Sequence, residues 1–246
     1  MATAFVTGAS YGVGAATALA LAREGYAVAL SATREDNLRG VLAKLHATGA
    51  RAIPVVLDLR APENIEQAFA TVVAKLGPLD VLVNNAGANL RKRAVDVTPA
   101  EWDDVIATNV TGTFFMTQQF GRHLIAGGRP GAIVNIASTH GIVGAAERYT
   151  YVISKAAIIH MTKMLAIEWA EHGIRINAIA PGRLDTDSPS RRDTDPAYMQ
   201  AMLGRIPLHR LATAEEVAEA ACYLAGPQAA SITGHTLVLD GGLLSA

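Results

Sequence analysis

The stretch AFVTGASYGVG, residues 4–14, joins an apolar run to a glycine-rich turn and then to the start of a helical pattern. The apolar run predicts a buried strand, so the whole stretch predicts a strand–loop–helix unit. Glycines allow backbone angles that are closed to other residues, and the start of the helix offers free N–H groups at the positive end of its dipole. The unit therefore predicts a pyrophosphate site formed by Gly8, Ser10, Tyr11, Gly12, Val13 and Gly14.

The spacing of these glycines is TGxxxGxG from Thr7 to Gly14, which differs from the GxGxxG spacing of the commoner dinucleotide-binding loop. Three glycines in an apolar chain are also compatible with a tight turn and a close contact between helix and sheet. The strand before them and the helix after them favour phosphate binding over that purely structural interpretation.

Six further apolar runs follow the first one, at residues 27–32, 53–58, 81–87, 132–138, 174–182 and 236–242. Stretches of helical periodicity lie between them, at residues 14–24, 64–76, 101–125, 155–171 and 214–224. Strands that alternate with helices predict right-handed βαβ units and a parallel sheet with helices on both faces. We therefore expect one α/β domain over residues 1–246, a Rossmann-type doubly wound parallel sheet of seven strands.

Residues 183–207 are the one long stretch without such a pattern, and they include the turn-forming and charged run DTDSPSRRDTDP. An irregular segment of this length inside a compact domain is usually a lid, a binding loop or a disordered segment. It follows the carboxyl end of a strand, where ligands bind in open α/β sheets. We therefore expect this segment to be a lid over the substrate.

Composition excludes several classes of protein. Half of the 246 residues are hydrophobic, 17% are charged and the formal net charge is −1, which predicts no general attraction to nucleic acid or to an anionic membrane. The first residues do not form a signal peptide, and the single cysteine, Cys222, cannot form an internal disulfide, so we expect a cytoplasmic protein. The seven histidines are scattered without ligand-like spacing, so we expect no metal.

The end of the second strand bears on the choice between NAD and NADP. An acidic side chain there would bind the ribose hydroxyls of NAD and repel the 2′-phosphate of NADP. Here the strand ends in Ala32, followed by Thr33 and Arg34, so no carboxylate repels a phosphate and Arg34 is placed to bind it. Arg34 could equally be a solvated residue at the start of the next helix, beside Glu35 and Asp36. We expect NADP to be favoured, with NAD as the alternative.

Asp58 and its neighbour Leu59 follow the third strand and are expected to contact the adenine of the same cofactor. Aspartate is also a common residue at turns and helix N-termini, and the two roles are compatible.

Tyr151 and Lys155 lie four residues apart, so in a helix their side chains occupy one face, whereas Tyr149 is six residues from the lysine and points elsewhere. A free phenol has a pKa of about 10, and a neighbouring ammonium favours the phenolate and lowers that pKa. The pair therefore predicts Tyr151 as a general acid or base with Lys155 beside it.

Tyr-x-x-x-Lys occurs by chance in many helices, so the prediction depends on what surrounds it. Ser138 ends the fifth strand thirteen residues before Tyr151, and its hydroxyl can donate to an oxygen on which charge develops. The segment NNAG, residues 84–87, ends the fourth strand. Because the carboxyl ends of parallel strands share one edge of the sheet, these groups and the glycine loop are expected to line one cleft.

These motifs together resemble the short-chain dehydrogenase/reductase family. The resemblance spans nearly the whole chain and rests on the ordered segments TGASYGVG (7–14), NNAG (84–87), ATNVTG (107–112), YVISK (151–155), INAIAPG (176–182) and VLDGG (238–242), with Asp58 and Ser138 between them. The family implies an NAD(P)-dependent enzyme that interconverts a ketone and an alcohol, and a homotetramer with helices 101–125 and 155–171 at its interfaces.

The resemblance also implies roles for individual residues. Tyr151 would donate or accept the proton, Lys155 would lower its pKa and bind the nicotinamide ribose, Ser138 would orient the carbonyl, and Asn109 would support a water-mediated proton relay. The remaining cofactor contacts implied by the family are Asn85, Ala86, Gly87, Pro181, Gly182 and Thr186. Tyr11 stands where NADP-preferring members often have a basic residue, a departure that weakens the inference of NADP.

The substrate is less well specified. The basic triplet Arg91–Arg93 is by default a solvated loop, yet with Arg183, Arg191 and Arg192 on the expected lid it could attract an anion such as a sugar acid. The stretch NNAGANLRKR is also similar to its counterpart in sugar-acid and polyol dehydrogenases. We therefore expect a small polar or anionic ketone/alcohol pair.

Two alternatives remain open. One is a 3-oxoacyl thioester reductase acting on acyl-carrier-protein or coenzyme A thioesters, although residues 108–121 contain no Lys or Arg to dock an acidic carrier. The other is a catalytically silent nucleotide-binding sensor, which the presence of Ser138, Tyr151 and Lys155 disfavours.

Overall fold

The computed structural model describes residues 1–185 and 195–246, and in this part of the chain seven strands alternate with eight α-helices. The strands are β1 (Thr3–Val6), β2 (Ala27–Ala32), β3 (Ala52–Val56), β4 (Val81–Asn84), β5 (Gly131–Ile136), β6 (Ile174–Pro181) and β7 (Thr236–Leu239). The helices are α1 (Gly12–Arg23), α2 (Arg39–Ala47), α3 (Pro62–Leu76), α4 (Pro99–Ile106), α5 (Thr113–Ala126), α6 (Tyr149–Glu168), α7 (Pro196–Gly204) and α8 (Ala214–Ala225).

The strands form one parallel sheet in the order β3-β2-β1-β4-β5-β6-β7, so the predicted doubly wound α/β fold is confirmed. The chain runs outward from β1 to β3, crosses to β4 on the other side of β1, and continues outward to β7. This change of direction leaves a crevice between the carboxyl ends of β1 and β4, and ligands bind at such a point in open α/β sheets.

Helices cover both faces of the sheet, which explains why β1, β2 and β4 are mostly apolar and are buried along their whole length. One face packs against α1 and α8, and the other packs against α3, α5 and α6. Phe5 and Phe120 are fully buried on the second face, and burial of a side chain of this kind stabilises the fold by about 1.5–3 kcal/mol. The rigid sheet therefore holds the loops at its carboxyl edge in place.

The helix predicted over residues 101–125 is interrupted. It consists of α4, a π-helical segment at Ala107–Gly112, and α5. A Cβ atom at Gly112 would overlap the carbonyl oxygen of Leu59, so glycine lets this segment pack against the loop after β3. π-Helical turns inside α-helices often occur at functional sites, and this one contains Asn109.

Residues 183–207 are not irregular throughout, so that expectation is wrong for residues 196–204, which form α7. The Asp195 side chain caps this helix by accepting from the backbone N–H groups of Ala197 and Tyr198, and Pro196 occupies its first turn. The predicted sites at Thr186, Arg191 and Arg192 lie outside the described residues.

In residues 1–185 and 195–246, none of the helices combines the length and the apolar character that crossing a bilayer requires.

Candidate active site

The glycine loop lies at the crevice between β1 and β4 and is attached to the chain that leaves β4. The Asn85 side-chain amide donates to the carbonyl oxygens of Thr7 and Gly8 at 3.1 and 2.8 Å, and the Thr7 hydroxyl accepts from the backbone N–H groups of Asn85 and Ala86 at 3.0 and 3.1 Å. Gly8 has a φ of +64°, and a Cβ atom there would lie 2.7 Å from the Ala86 Cα. Two segments that are distant in sequence thus form one compact loop pair.

The start of α1 is suited to an anion. The helix begins at Gly12 after Tyr11, no side chain caps it, and its first turn contains no acidic residue. Among the described residues no side chain caps the first N–H groups of α1, and these groups lie at the positive end of the helix dipole. These features fit the pyrophosphate of a dinucleotide, with Ser10 and Val13 flanking the same turn.

The residues expected to bind the adenosine end of the cofactor lie beyond the ends of β2 and β3. Thr33 and Arg34 are exposed, and Arg34 forms no ion pair within the described ranges. Asp58 is bound by Arg60, whose Nε and Nη2 donate to its two carboxylate oxygens at 3.0 and 2.8 Å. This hydrogen bonding lowers the pKa of Asp58.

Asp58 does not cap a helix, because Ala61 precedes α3, but its carbonyl oxygen accepts from the Ala61 N–H in a turn. Leu59 is buried beneath Gly112. The ion pair between Arg60 and Asp58 was not predicted.

A cleft of about 240 Å³ opens beside the glycine loop. It brings together residues from four predicted segments, together with neighbours that the sequence did not single out. Its lining consists of Asn85, Gly87, Ala88, Asn89, Ile136, Ala137, Ser138, Tyr151, Lys155, Pro181, Gly182 and Leu184. Ser138 lies past the end of β5, and the 85–87 segment lies past the end of β4. Both strands were therefore predicted too long at their carboxyl ends, where the chain leaves the sheet and lines the cleft.

Tyr151 and Lys155 share one face of α6, which begins at Tyr149, earlier than predicted. The Lys155 Nζ lies 5.7 Å from the centre of the Tyr151 ring and donates to the Ile136 carbonyl oxygen at 2.7 Å. Burial lowers the pKa of Lys155 to about 8, because the ammonium is removed from water. Tyr149 lies outside the cleft, in a separate hollow lined by Trp102 and Ile153.

The pKa of Tyr151 is raised above its ordinary value, because burial penalises the phenolate. A hydrogen bond with Ser138 and the positive charge of Arg148 act in the opposite direction without reversing the shift. The expectation of a lowered pKa is therefore wrong for the structure as described. Burial of the Tyr151 side chain explains the difference.

Asn109 points inward from the π-helical segment and is almost fully buried. Its amide nitrogen donates to the Ala88 carbonyl oxygen and the Ser154 hydroxyl, both at 2.9 Å, and its oxygen accepts from the Ala88 N–H at 2.6 Å. Ser154 in turn donates to the Tyr151 carbonyl oxygen at 2.7 Å. Asn109 therefore joins the loop after β4 to the helix that carries Tyr151 and Lys155.

A second buried polar network was not predicted. Asn84 and Asn135 are paired in register at the ends of β4 and β5, and the Asn84 amide donates to the Asn135 side-chain oxygen at 2.9 Å and to the Thr117 hydroxyl at 2.8 Å. The Asn135 amide donates to the Thr162 hydroxyl at 2.9 Å. The sequence signal for this network was the presence of two asparagines within otherwise apolar strands. Their hydrogen bonds stabilise the strand ends from which the cleft residues emerge.

The last predicted cofactor segment follows β6. Pro181 ends that strand, and the N–H of Gly182 donates to the Leu239 carbonyl oxygen at 2.9 Å. A Cβ atom at Gly182 would lie 2.9 Å from the Asp240 Cβ, so the chain passes close to the loop after β7.

The basic triplet is paired within the chain. Arg91 binds Glu147 at 3.0 Å, Lys92 binds Glu101 at 2.8 Å, and Arg93 binds Asp96 at 2.8 Å. The default interpretation of a solvated loop therefore describes these residues better than the attraction of an anion. Among the described residues no group of three His, Cys, Asp or Glu side chains is arranged to hold a metal ion.

The chain matches one family model, described as Enoyl-(Acyl carrier protein) reductase, over residues 8–244. It is 34% identical to gluconate 5-dehydrogenase of Gluconobacter oxydans, with 98% of this chain and 94% of that protein covered. It is 37% identical to 3-oxoacyl-[acyl-carrier-protein] reductase FabG of Thermotoga maritima, with 97% and 96% covered.

Among solved structures, the chain is similar to a gluconate 5-dehydrogenase from Burkholderia cenocepacia in complex with NADP and tartrate. The TM-score is 0.94 and the sequence identity 31%, and the match covers 100% of this chain and 96% of the other.

Proposed function

The chain belongs to the short-chain dehydrogenase/reductase family, and on this premise we propose that it is an NADP(H)-dependent oxidoreductase. In this proposal it interconverts a ketone and a secondary alcohol, and its substrate is a small polar or anionic molecule such as a sugar acid or polyol. The observation that carries the proposal is the meeting of Ser138, Tyr151 and Lys155 in one cleft beside the glycine loop.

When bound, the nicotinamide supplies or accepts the hydride. Tyr151 donates a proton to the carbonyl oxygen during reduction and removes one from the hydroxyl during oxidation. The Ser138 hydroxyl donates a hydrogen bond to the same oxygen and stabilises the charge that develops there. Lys155 places its ammonium 5.7 Å from the centre of the Tyr151 ring, and a positive charge there would oppose the effect of burial, which favours the protonated phenol.

Asn109 is proposed to support the lysine side of this arrangement. A Cβ atom at Gly87 would lie 3.3 Å from the Asn109 side-chain oxygen and 3.7 Å from the Lys155 Nζ, so both groups approach the same glycine. This closeness supports a water-mediated proton relay between them. The same asparagine also satisfies buried backbone groups of Ala88, so its structural and catalytic roles are compatible.

NADP is proposed as the preferred cofactor because Arg34 is exposed after β2 without an ion-pair partner in the described ranges and Ala32 stands where an acid would repel a phosphate. Replacing Arg34 by alanine is expected to raise the KM for NADPH by about tenfold or more and to leave the KM for NADH unchanged, since only NADPH carries the 2′-phosphate. Initial rates with each cofactor provide the measurement.

The matched control for that variant is Arg39→Ala, which removes an exposed arginine already paired with Asp36 at 2.7 Å. It should leave both KM values unchanged. A wild-type enzyme that prefers NADH, or an Arg34→Ala variant that weakens both cofactors equally, would overturn the assignment.

The substrate class is supported by two similarities, to a gluconate 5-dehydrogenase and to a relative whose structure holds tartrate, a hydroxy dicarboxylate. The similarity to a 3-oxoacyl carrier-protein reductase keeps that activity as the second candidate. A screen that follows nicotinamide absorbance with sugar acids, polyols and 3-oxoacyl thioesters separates them. Rapid thioester reduction without sugar-acid or polyol turnover would favour the second candidate, and cofactor binding without turnover would indicate a nucleotide sensor.

Residues 183–207 are proposed to act as a lid. In their described part, the Arg183 guanidinium lies 5.5 Å from the centre of the Tyr198 ring, so the chain leaving β6 contacts α7. Leu184 already lines the cleft. These contacts support a segment that closes over the substrate from the β6 side.

A homotetramer in the cytoplasm is also proposed. Phe114 and Phe115 on α5 and Met164 and Ile167 on α6 are exposed, the last two by 54% and 76%, and exposed apolar groups of this kind mark interaction surfaces. Light scattering should give a mass four times that of the chain, and a monomer at micromolar concentration would contradict the proposal.

A further inference from the structure

Arg148 is a cation beside the proposed active site, and among the described residues no carboxylate pairs with it. It immediately precedes α6, three residues before Tyr151, and its positive charge is close enough to act on the Tyr151 phenol. Arg148 forms no hydrogen bond or ion pair through its side chain within residues 1–185 and 195–246, and the residue is partly buried. A partly buried arginine without a carboxylate partner is a ready site for an anionic ligand.

His140 also lies beside Tyr151. Its ring packs edge-on against the Tyr151 ring with 6.4 Å between the ring centres, and its backbone N–H donates to the Ser138 hydroxyl at 3.1 Å. Burial and the charge of Arg148 lower the pKa of His140, so its imidazole is neutral at pH 7 and offers a hydrogen bond without a second charge. Arg148 and His140 thus both lie close to Tyr151.

The turn before α6 is held in a costly conformation. Glu147 has a φ of +62°, which is unfavourable for a residue with a side chain, and strain of this kind tends to persist at functional sites. Arg91 binds the Glu147 carboxylate, and the Lys92 N–H donates to the Glu147 carbonyl oxygen at 2.7 Å. The basic loop after β4 therefore fixes the position of Arg148. The charged side chains of this loop are themselves paired with carboxylates.

We propose that Arg148 and His140 form the subsite that binds a carboxylate of the substrate, while Tyr151 and Ser138 act on its hydroxyl or carbonyl oxygen. Arg148 lies only three residues from Tyr151, and the His140 ring packs against the Tyr151 ring, which fits an oxo acid or hydroxy acid whose two ends lie a few carbon atoms apart. The inference rests on the proposed oxidoreductase function and adds to it a residue that selects anionic over neutral substrates.

The test compares each anionic substrate with a neutral counterpart of the same carbon skeleton: gluconate with glucitol, and 3-hydroxybutyrate with 3-hydroxybutyramide. The quantity measured is the ratio of kcat/KM for the anion to that for its counterpart. Arg148→Gln is expected to lower this ratio at least about tenfold, mainly through the KM of the anion, since a charge-assisted hydrogen bond is lost.

Further variants separate recognition from folding. Arg148→Lys keeps the charge and should restore part of the ratio, and His140→Phe keeps the ring contact with Tyr151 and should lower the ratio by about three- to tenfold. Arg23→Gln, which removes an exposed arginine of α1 paired with Glu219, should leave it unchanged. Unaltered NADPH affinity in every variant shows that the fold is intact.

Each result decides the matter. If the wild type favours the anions and Arg148→Gln leaves the ratio within about twofold, or if the wild type favours the neutral compounds, the subsite is refuted while the oxidoreductase function stands. If the wild type turns over no alcohol or ketone, the proposed function fails. Calorimetric binding of malonate to the NADP complex then tests the subsite alone, with weaker binding to Arg148→Gln expected and equal binding overturning it.

Discussion

Replacing Tyr151 by phenylalanine is expected to lower kcat by about 10²–10⁴-fold, the usual contribution of general acid–base catalysis, while the Kd for NADPH stays nearly the same. The phenol oxygen is the only atom removed, and the ring that packs against His140 and lies above the Lys155 ammonium remains. The loss should therefore fall on proton transfer rather than on binding. Stopped assays of carbonyl reduction and fluorescence titration with NADPH measure the two quantities.

The control for this prediction is Tyr149→Phe, the same chemical change two residues earlier in the same helix. Tyr149 is 46% exposed and lines the hollow beside Trp102, outside the cleft, so its variant should keep kcat within about twofold. If Tyr151→Phe retained substantial activity, or if Tyr149→Phe lost as much, the assignment of the acid/base would be wrong.

The second large effect is expected from Gly14→Ala. Gly14 lies in α1 with ordinary helical backbone angles, and a Cβ atom there would overlap the Asn85 side-chain nitrogen and the Gly8 carbonyl oxygen and would lie 2.9 Å from the Ala9 Cα. The added methyl group would break the hydrogen bond that joins Asn85 to the glycine loop. We expect the free energy of unfolding to fall by about 1–3 kcal/mol, as in other overpacked sites, and the KM for NADPH to rise about tenfold or more.

Gly40→Ala provides the comparison, because Gly40 lies in α2 with an ordinary backbone and no atom lies within 4 Å of the added Cβ. Alanine is a better helix former than glycine by about 0.5–1 kcal/mol, so this variant should be slightly stabilised and should keep its cofactor affinity. Urea denaturation and NADPH titration distinguish the pair. Equal behaviour of the two variants would show that the glycine loop does not depend on close packing at Gly14.

Much of the site could be predicted because its signals are local. The glycine spacing from Gly8 to Gly14 specifies a loop between a strand and a helix, and four-residue spacing places Tyr151 and Lys155 on one face. The positions of Ser138 and the 84–87 segment followed from the rule that parallel strands share a carboxyl edge. These inferences need only helical and strand periodicity, which the chain carries in its order of residues.

Other features depended on partners far away in the sequence. Asn84 and Asn135 meet because β4 and β5 pair in register, and Asn109 faces the cleft because a π-helical segment turns it inward. The pKa of Tyr151 rises because packing buries it, an effect that outweighs the charges around it.

The sequence by itself thus determined the sheet, and it predicted the phosphate loop and the acid/base pair, since each is encoded by spacing within a few residues. Only the tertiary structure decided which charges are free. It pairs Arg91 and Lys92 with Glu147 and Glu101, and it leaves Arg148 without a partner in the described ranges beside Tyr151. Such pairing depends on the distances that packing sets between separate segments, and spacing along the chain does not contain those distances.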